Sequence, residues 1–228
     1  PSIVSVDQNG NLTARRTGDC SIIARTADRS VVPGMLTIRT VDLTAASSWA
    51  SSAVNAYYLR GLLPAEFCTG FQKAVTRAEM ARYLYQLCAY ELDLSKLEVS
   101  YVYRDIGDSD YADAILACTA LGLFSGTGKN TFSPDAPVTR EQAAKLLVRT
   151  MELLTGQKLD ASAAPGYTDA AKISKWAAPY VSAATAAGLL RGTSQGRFSP
   201  ASGLTREQIT VILERLTGAL DAQQKAAA

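Results

Sequence analysis

Apolar side chains recur at helical spacing over most of the chain. Ala143, Leu146, Leu147, Met151 and Leu154 fall three and four residues apart, the stripe of an amphipathic helix. A shorter helix is predicted ahead of it over 111–121, with Gly122 where a left-handed cap closes a helix. The pair returns as 176–187 with Gly188, then 206–216. A polar loop joins the members of each pair, pinned by Phe132-Ser133-Pro134 or Phe198-Ser199-Pro200, and linkers 94–103 and 155–166 separate the pairs. Residues 1–41 alternate with period two instead. Strands are predicted at 3–6 and 11–14 around an Asn9-Gly10 turn, with further alternation over 20–26 and 35–41. Residues 221–228 are small and polar and read as a loose tail or remnant.

These pairs are copies of one pattern. The third copy has Trp176-Ala177, Gly188-Leu189-Leu190, Phe198-Ser199-Pro200 and Leu204-Thr205-Arg206-Glu207-Gln208. The second has Tyr111-Ala112, Gly122-Leu123-Phe124, Phe132-Ser133-Pro134 and Val138-Thr139-Arg140-Glu141-Gln142. The first is worn: Trp49-Ala50, Gly61-Leu62-Leu63 and Val75-Thr76-Arg77-Ala78-Glu79, with no Phe-Ser-Pro. Its loop holds Pro64, Ala65, Glu66 and Cys68, with Ala65 where the other copies have Gly126 and Gly192. A recurring unit of this length buries its apolar face against its neighbours.

Thr76/Glu79, Thr139/Gln142 and Thr205/Gln208 have the spacing of capping boxes. That explains the threonine and the Glu or Gln, but not the arginine between them. A cation in the first turn opposes the helix dipole by roughly a few tenths of a kcal/mol, yet Arg77, Arg140 and Arg206 all stand there. One reading is that each serves an anion, helped by free N–H groups at the helix start and a bidentate guanidinium fork. The loops Ser125-Gly126-Thr127-Gly128 and Arg191-Gly192-Thr193-Ser194 then let backbone approach a ligand. The other reading is an internal salt bridge to Asp42, Asp105 or Asp169, which precede each aromatic by six or seven residues. Trp49, Tyr111 and Trp176 are open to two readings as well, as packing residues or as platforms for a sugar ring.

Composition narrows the chemistry. The absence of histidine excludes Ser-His-Asp and Cys-His arrangements and the two-histidine zinc helix. No pair of acids stands outside the repeated framework, so no enzyme activity is expected. No calcium loop of the EF-hand type appears, and neither metal nor cofactor is expected. A net charge of +2 gives no basic patch for nucleic acid. Cys20, Cys68, Cys88 and Cys118 have no C-x-x-C spacing and read as small buried side chains, with a Cys88–Cys118 bridge the alternative. No apolar run reaches the roughly 18 residues of a bilayer span, and no secretory leader is read. A chain opening on Pro1 is expected to be a processed product or a fragment.

Two resemblances follow. Val6, Gly10, Leu12-Thr13-Ala14, Gly18, Cys20, Ile22 and Ala24 resemble the closing half of a bacterial immunoglobulin-like domain of group 2, which implies a spacer module over 1–41. The combined pattern of Asp, Trp-Ala, Gly-Leu-(Leu/Phe)-x-Gly, Phe-Ser-Pro and Thr-Arg-Glu resembles the S-layer homology domain. That resemblance divides the chain into copies at 42–99, 100–160 and 161–220. It implies a mainly α fold, a pseudo-threefold spindle of three helix-loop-helix repeats behind a short antiparallel β segment. It also implies an extracellular place on the bacterial cell wall, bound to wall polysaccharide or a peptidoglycan-linked polymer, often through a pyruvate ketal on N-acetylmannosamine. No nucleic-acid partner or membrane insertion is implied; self-assembly into a surface layer is the alternative role. Arg77, Arg140 and Arg206 match the family's motif arginine, and Gly126 and Gly192 its loop glycine. The worn loop of the first copy predicts one weakened groove and two competent ones, built around Arg140 and Arg206.

Overall fold

The computed structural model describes residues 3–16, 18–24, 34–100, 103–107, 109–164 and 166–227. Arg25 and Thr26 of the predicted alternation, residues 101, 102 and 165 of the linkers, and Ala228 lie outside them. The chain divides into two compact units, Pro1–Ala45 and Ala46–Ala228.

The first unit holds two antiparallel strand pairs. β1 (Val4–Val6) pairs with β2 (Leu12–Ala14), with Val4 opposite Ala14 and Val6 opposite Leu12. Their turn is fixed by Asp7, whose carboxylate accepts from the N–H groups of Asn9 and Asn11 at 2.8 Å each, while Gly10 takes φ +82°. β3 (Gly18–Ala24) pairs with β4 (Gly34–Thr40), with Cys20 opposite Ile38.

The second unit is helical, so the fold is mainly α with a short β segment at its start. Its helices are α1 (Ser51–Leu59), α2 (Arg77–Glu91), α3 (Ala112–Ala120), α4 (Arg140–Thr155), α5 (Ala178–Ala186) and α6 (Arg206–Ala227). Gly61, Gly122 and Gly188 follow the three short helices at φ +73°, +73° and +69°, the left-handed exit that glycine adopts without a Cβ clash. Capping boxes start the three long ones. Glu79, Gln142 and Gln208 N–H donate to the hydroxyls of Thr76, Thr139 and Thr205, and the reverse bonds measure 3.2, 3.1 and 3.0 Å.

Packing runs between successive copies. α2 packs on α3, α4 on α5, and α6 returns to α1, which closes a ring. At the centre, bridges join Thr76 to Pro137, Thr139 to Gly203 and Ala74 to Thr205, one for each pair of copies. The core fills with Tyr57, Tyr83, Phe67, Phe71, Phe132 and Phe198, all fully buried, each contributing about 1.5–3 kcal/mol by burial. The expected loose tail is instead the end of α6. Leu220 is buried, and Arg60 at the end of α1 holds Asp221 at 2.9 Å and Glu214 at 3.4 Å.

Candidate functional site

Each first-turn arginine reaches into the loop of the next copy. Arg77 Nε donates to the Phe132 carbonyl at 2.8 Å and Nη2 to that of Ser125 at 3.0 Å. Arg140 repeats this one copy on, with Nε to Phe198 at 2.7 Å and Nη2 to Arg191 at 2.8 Å. Their guanidinium carbons stand 4.5 Å from the Phe132 ring and 5.1 Å from the Phe198 ring. The helix starts are closed to ligands. Arg77 and Ala78 N–H donate to Ala136 and Pro134, Arg140 and Glu141 N–H to Ser202 and Pro200, and the third N–H goes to the capping threonine. The expected anion site on free helix N–H groups is therefore not formed, because neighbouring carbonyls use those donors.

The aspartates take a different partner from the one anticipated. Asp105 accepts from Phe132 N–H at 2.8 Å and Ser133 N–H at 2.7 Å; Asp169 accepts from Phe198 at 2.7 Å and Ser199 at 2.9 Å. They hold Ser133 and Ser199 at φ +60° and +58°, a conformation a serine rarely takes unaided. The N–H of Phe198 holds the Asp169 carboxyl below its ordinary value. Asp42 instead bonds Thr44 N–H at 2.9 Å. Gly126 and Gly192 serve the loops' own packing. A Cβ on Gly126 would stand 2.7 Å from the Thr131 carbonyl oxygen, and one on Gly192 would stand 2.9 Å from the Tyr167 ring.

Beside Arg77 and Arg140 lie two clefts of about 230 and 290 Å³. The Arg77 cleft is lined by Ser125, Gly126 and Thr127 of the second copy's loop, Gln142 and Lys145 of α4, and Trp176. The Arg140 cleft is lined by Arg191, Gly192, Thr193, Gln208 and Arg215, with Trp49. Among the described residues neither cleft is lined by an acid, and no carboxylate forms an ion pair with Arg77 or Arg140. Arg140 is only 7% exposed, and desolvation holds both guanidiniums below the ordinary arginine value.

The tryptophans are not packed away. Trp49 is 57% and Trp176 47% exposed, and Lys145 Nζ stands 5.8 Å from the Trp176 ring. A residue type not singled out in the sequence sets their position. Glu141, second in α4, accepts from Ser174 N–H and hydroxyl at 3.0 and 2.9 Å, two residues before Trp176. Glu207, second in α6, does the same for Ser47 ahead of Trp49. The available signal was a Glu after Arg140 and Arg206 and a Ser two residues before each aromatic. The first copy has Ala78 there, so Ser109 ahead of Tyr111 has no such partner and bonds Tyr111 N–H.

The corner around Arg206 is built differently. Arg206 Nη1 donates to the Thr69 carbonyl at 3.0 Å, and Nη2 meets Glu79 at 2.5 Å. The other oxygen of Glu79 completes the capping box. Buried Phe67 stacks on Tyr83 at 4.5 Å, Tyr111 tilts against it at 5.8 Å, and the guanidinium lies 4.8 Å from its ring. Without a Phe-Ser-Pro carbonyl to receive it, buried Arg206 Nε has no acceptor. The worn loop of the first copy thus meets Arg206, not Arg77. The open clefts are built on Arg77 and Arg140 rather than the anticipated Arg140 and Arg206, because each arginine crosses to the following copy.

No disulfide joins Cys20, Cys68, Cys88 and Cys118, and burial pushes the Cys88 thiol up to about 12. Among the described residues no group of three or more Cys, Asp or Glu side chains could hold a metal ion, and no helix is long and apolar enough to cross a membrane.

The S-layer homology domain model matches residues 102–144 and 166–210, which carry both intact loops and the helix starts at Arg140 and Arg206. The chain is 28% identical over 202 residues to a surface-layer 125 kDa protein of Lysinibacillus sphaericus, covering 86% of this chain and 16% of that protein. It is 28% identical over 169 residues to the exoglucanase XynX of Acetivibrio thermocellus, covering 73% and 15%. A cellulosome-anchoring protein of Acetivibrio thermocellus is 26% identical over 148 residues, covering 62% and 31%. The chain therefore spans less than a third of each of these relatives. Its second and third copies match the S-layer homology domain, and the chain stands among bacterial cell-surface and cell-wall proteins.

Proposed function

We propose that the helical unit anchors a longer surface protein to the cell wall by binding an acidic wall polysaccharide in the Arg77 and Arg140 clefts. The observation that carries this reading is the ion pair at the Arg206 corner. There the carboxylate of Glu79 occupies the fork of Arg206, so a carboxylate fits this guanidinium position. In the open clefts the residue equivalent to Glu79 is neutral, Gln142 or Gln208. The charge that Glu79 supplies internally is left for a ligand to bring. A sugar bearing a pyruvate ketal has the matching parts: a carboxylate for the guanidinium, and a ring face for the exposed tryptophan. The cellulosome-anchoring relative is named for attachment, and the exoglucanase relative is an enzyme by its printed name. Anchoring rather than catalysis is the role for this stretch.

The test places the internal carboxylate in the open clefts. Gln142→Glu with Gln208→Glu keeps both capping boxes, since Glu79 already caps α2. A self-supplied charge should cost about 1.5–3 kcal/mol of ligand affinity per cleft, roughly tenfold to a hundredfold. We expect the double variant to stay in the supernatant when spun with purified pyruvylated walls, with helicity unchanged, and the parent to lose binding when the walls are depyruvylated. Undiminished sedimentation of the variant would overturn the reading.

A further inference from the structure

The two clefts differ in the cations that line them. The Arg77 cleft holds Arg77 and Lys145, whereas the Arg140 cleft holds Arg140, Arg191 and Arg215. Two exchanges between copies contribute. Arg191 stands before Gly192 where the second copy has Ser125 before Gly126, and Val211 stands five residues after Arg206 where Lys145 follows Arg140. Arg215 has also left a role that its counterparts keep. Nine residues after the first-turn arginine, Gln86 Nε2 donates to the Gly61 carbonyl at 3.3 Å and Arg149 Nη1 to that of Gly122 at 2.8 Å. Each ties a long helix to the exit of its own copy's short one. Among the described residues Arg215 makes no such bond to Gly188, and it lines the cleft instead.

Among the described residues no acid or carbonyl engages the guanidinium of Arg191 or Arg215. Glu214, beside Arg215 in α6, pairs with Arg60 at 3.4 Å. Arg215 is half-buried, and burial together with the nearby Arg191 charge holds its guanidinium below the ordinary arginine value. Two like charges at one cleft without a counter-ion repel each other, and an anion gripped by both forks relieves that repulsion. A carboxylate, the group suited to Arg140, brings two oxygens and a single charge. A phosphoryl group brings three acceptor oxygens and a charge of about −1.5 to −2 near pH 7. Its oxygens match the planar fork of arginine better than a lone ammonium. The Arg77 cleft has no such pair: Lys145 stands against the Trp176 ring at 5.8 Å, and Ser125 occupies the place of Arg191.

We infer that Arg191 and Arg215 bind a phosphoryl group carried by the wall glycan, so that the Arg140 cleft reads two acidic groups where the Arg77 cleft reads one. The inference rests on the anchoring reading for the glycan, while the phosphate pair is measured apart from it. Three probes are titrated calorimetrically into the whole chain in phosphate-free buffer: N-acetylmannosamine 6-phosphate, inorganic phosphate and pyruvylated N-acetylmannosamine. The sugar phosphate should bind about tenfold more tightly than inorganic phosphate, which brings no ring for Trp49. Arg191→Gln and Arg215→Gln, made separately and with helicity unchanged, should each weaken the sugar phosphate about tenfold or more. The pyruvylated sugar, held by Arg140, should lose less than about threefold in the same variants. Arg149→Gln, at the matching place in α4, should leave all three affinities as they are. Equal affinity for the two phosphates would assign the pair to the free ion and overturn the glycan assignment. Absent phosphate binding, or binding that survives both substitutions, overturns the pair, and continued binding of the pyruvylated sugar then leaves the anchoring reading standing. Phosphate bound through the pair with no binding of the pyruvylated sugar supports the pair and overturns the pyruvate reading alone.

Discussion

A guanidinium in the first turn of a helix faces unfavourable peptide dipoles, and Arg140 stands there with 7% of its surface exposed. Two backbone carbonyls and an aromatic ring compensate part of that cost, and an arriving anion would compensate more. Asp169 acts beside it by shaping backbone. Its carboxyl lies below the ordinary value because the Phe198 N–H favours the charged form. A depressed carboxyl value gives stability that is complete above the unfolded-chain value of about 3.9 and is lost as pH falls through the lower folded value. Thermal melts should therefore show a decline below that point, and Asp169→Asn should melt lower at neutral pH with a smaller acid-side decline. Identical pH profiles for the two proteins would remove Asp169 from this role.

The loops are as specific as the helices. A methyl group on Gly192 would stand 3.0 Å from the Arg197 carbonyl oxygen as well as 2.9 Å from Tyr167. Gly192→Ala should cost about 1–3 kcal/mol of unfolding free energy in urea and weaken the Arg140 cleft, while an exposed control such as Gly107→Ala, where a Cβ meets nothing within 4 Å, should be near neutral. How much of this was legible in the sequence varies with the kind of contact. The helix starts were legible because Thr and Gln three residues apart bond each other locally. The short helices were legible because glycine marks their left-handed exits. The partner of each arginine was not, since Arg77 meets Ser125 across 48 residues and Arg206 meets Thr69 across 137. Repetition shows that copies meet, but it does not give the direction in which they meet. The Glu141–Ser174 contact was hidden for the same reason, each residue alone looking like an ordinary polar side chain facing water. The tail misled because eight small polar residues carry no sign that Arg60 of α1 awaits Asp221.

For the whole molecule, the proposed function makes the Arg77 and Arg140 clefts two sites that would bridge along a polymer. Closing one with Gln142→Glu should halve the number of monosaccharides bound and leave the affinity of the remaining site alone. Its effect on polymer should be disproportionate, about a hundredfold or more; a merely twofold loss would mean the clefts never engage one strand together. The ring has a further consequence. The Arg77 cleft takes its cation from the first copy, its loop and wall from the second and its tryptophan from the third. The Arg140 cleft draws on the second, the third and the first in turn. On the proposed reading, adhesion would be a property of the finished trio: a chain still emerging, or one clipped by a protease between copies, would have every ingredient of stickiness and nowhere to assemble it.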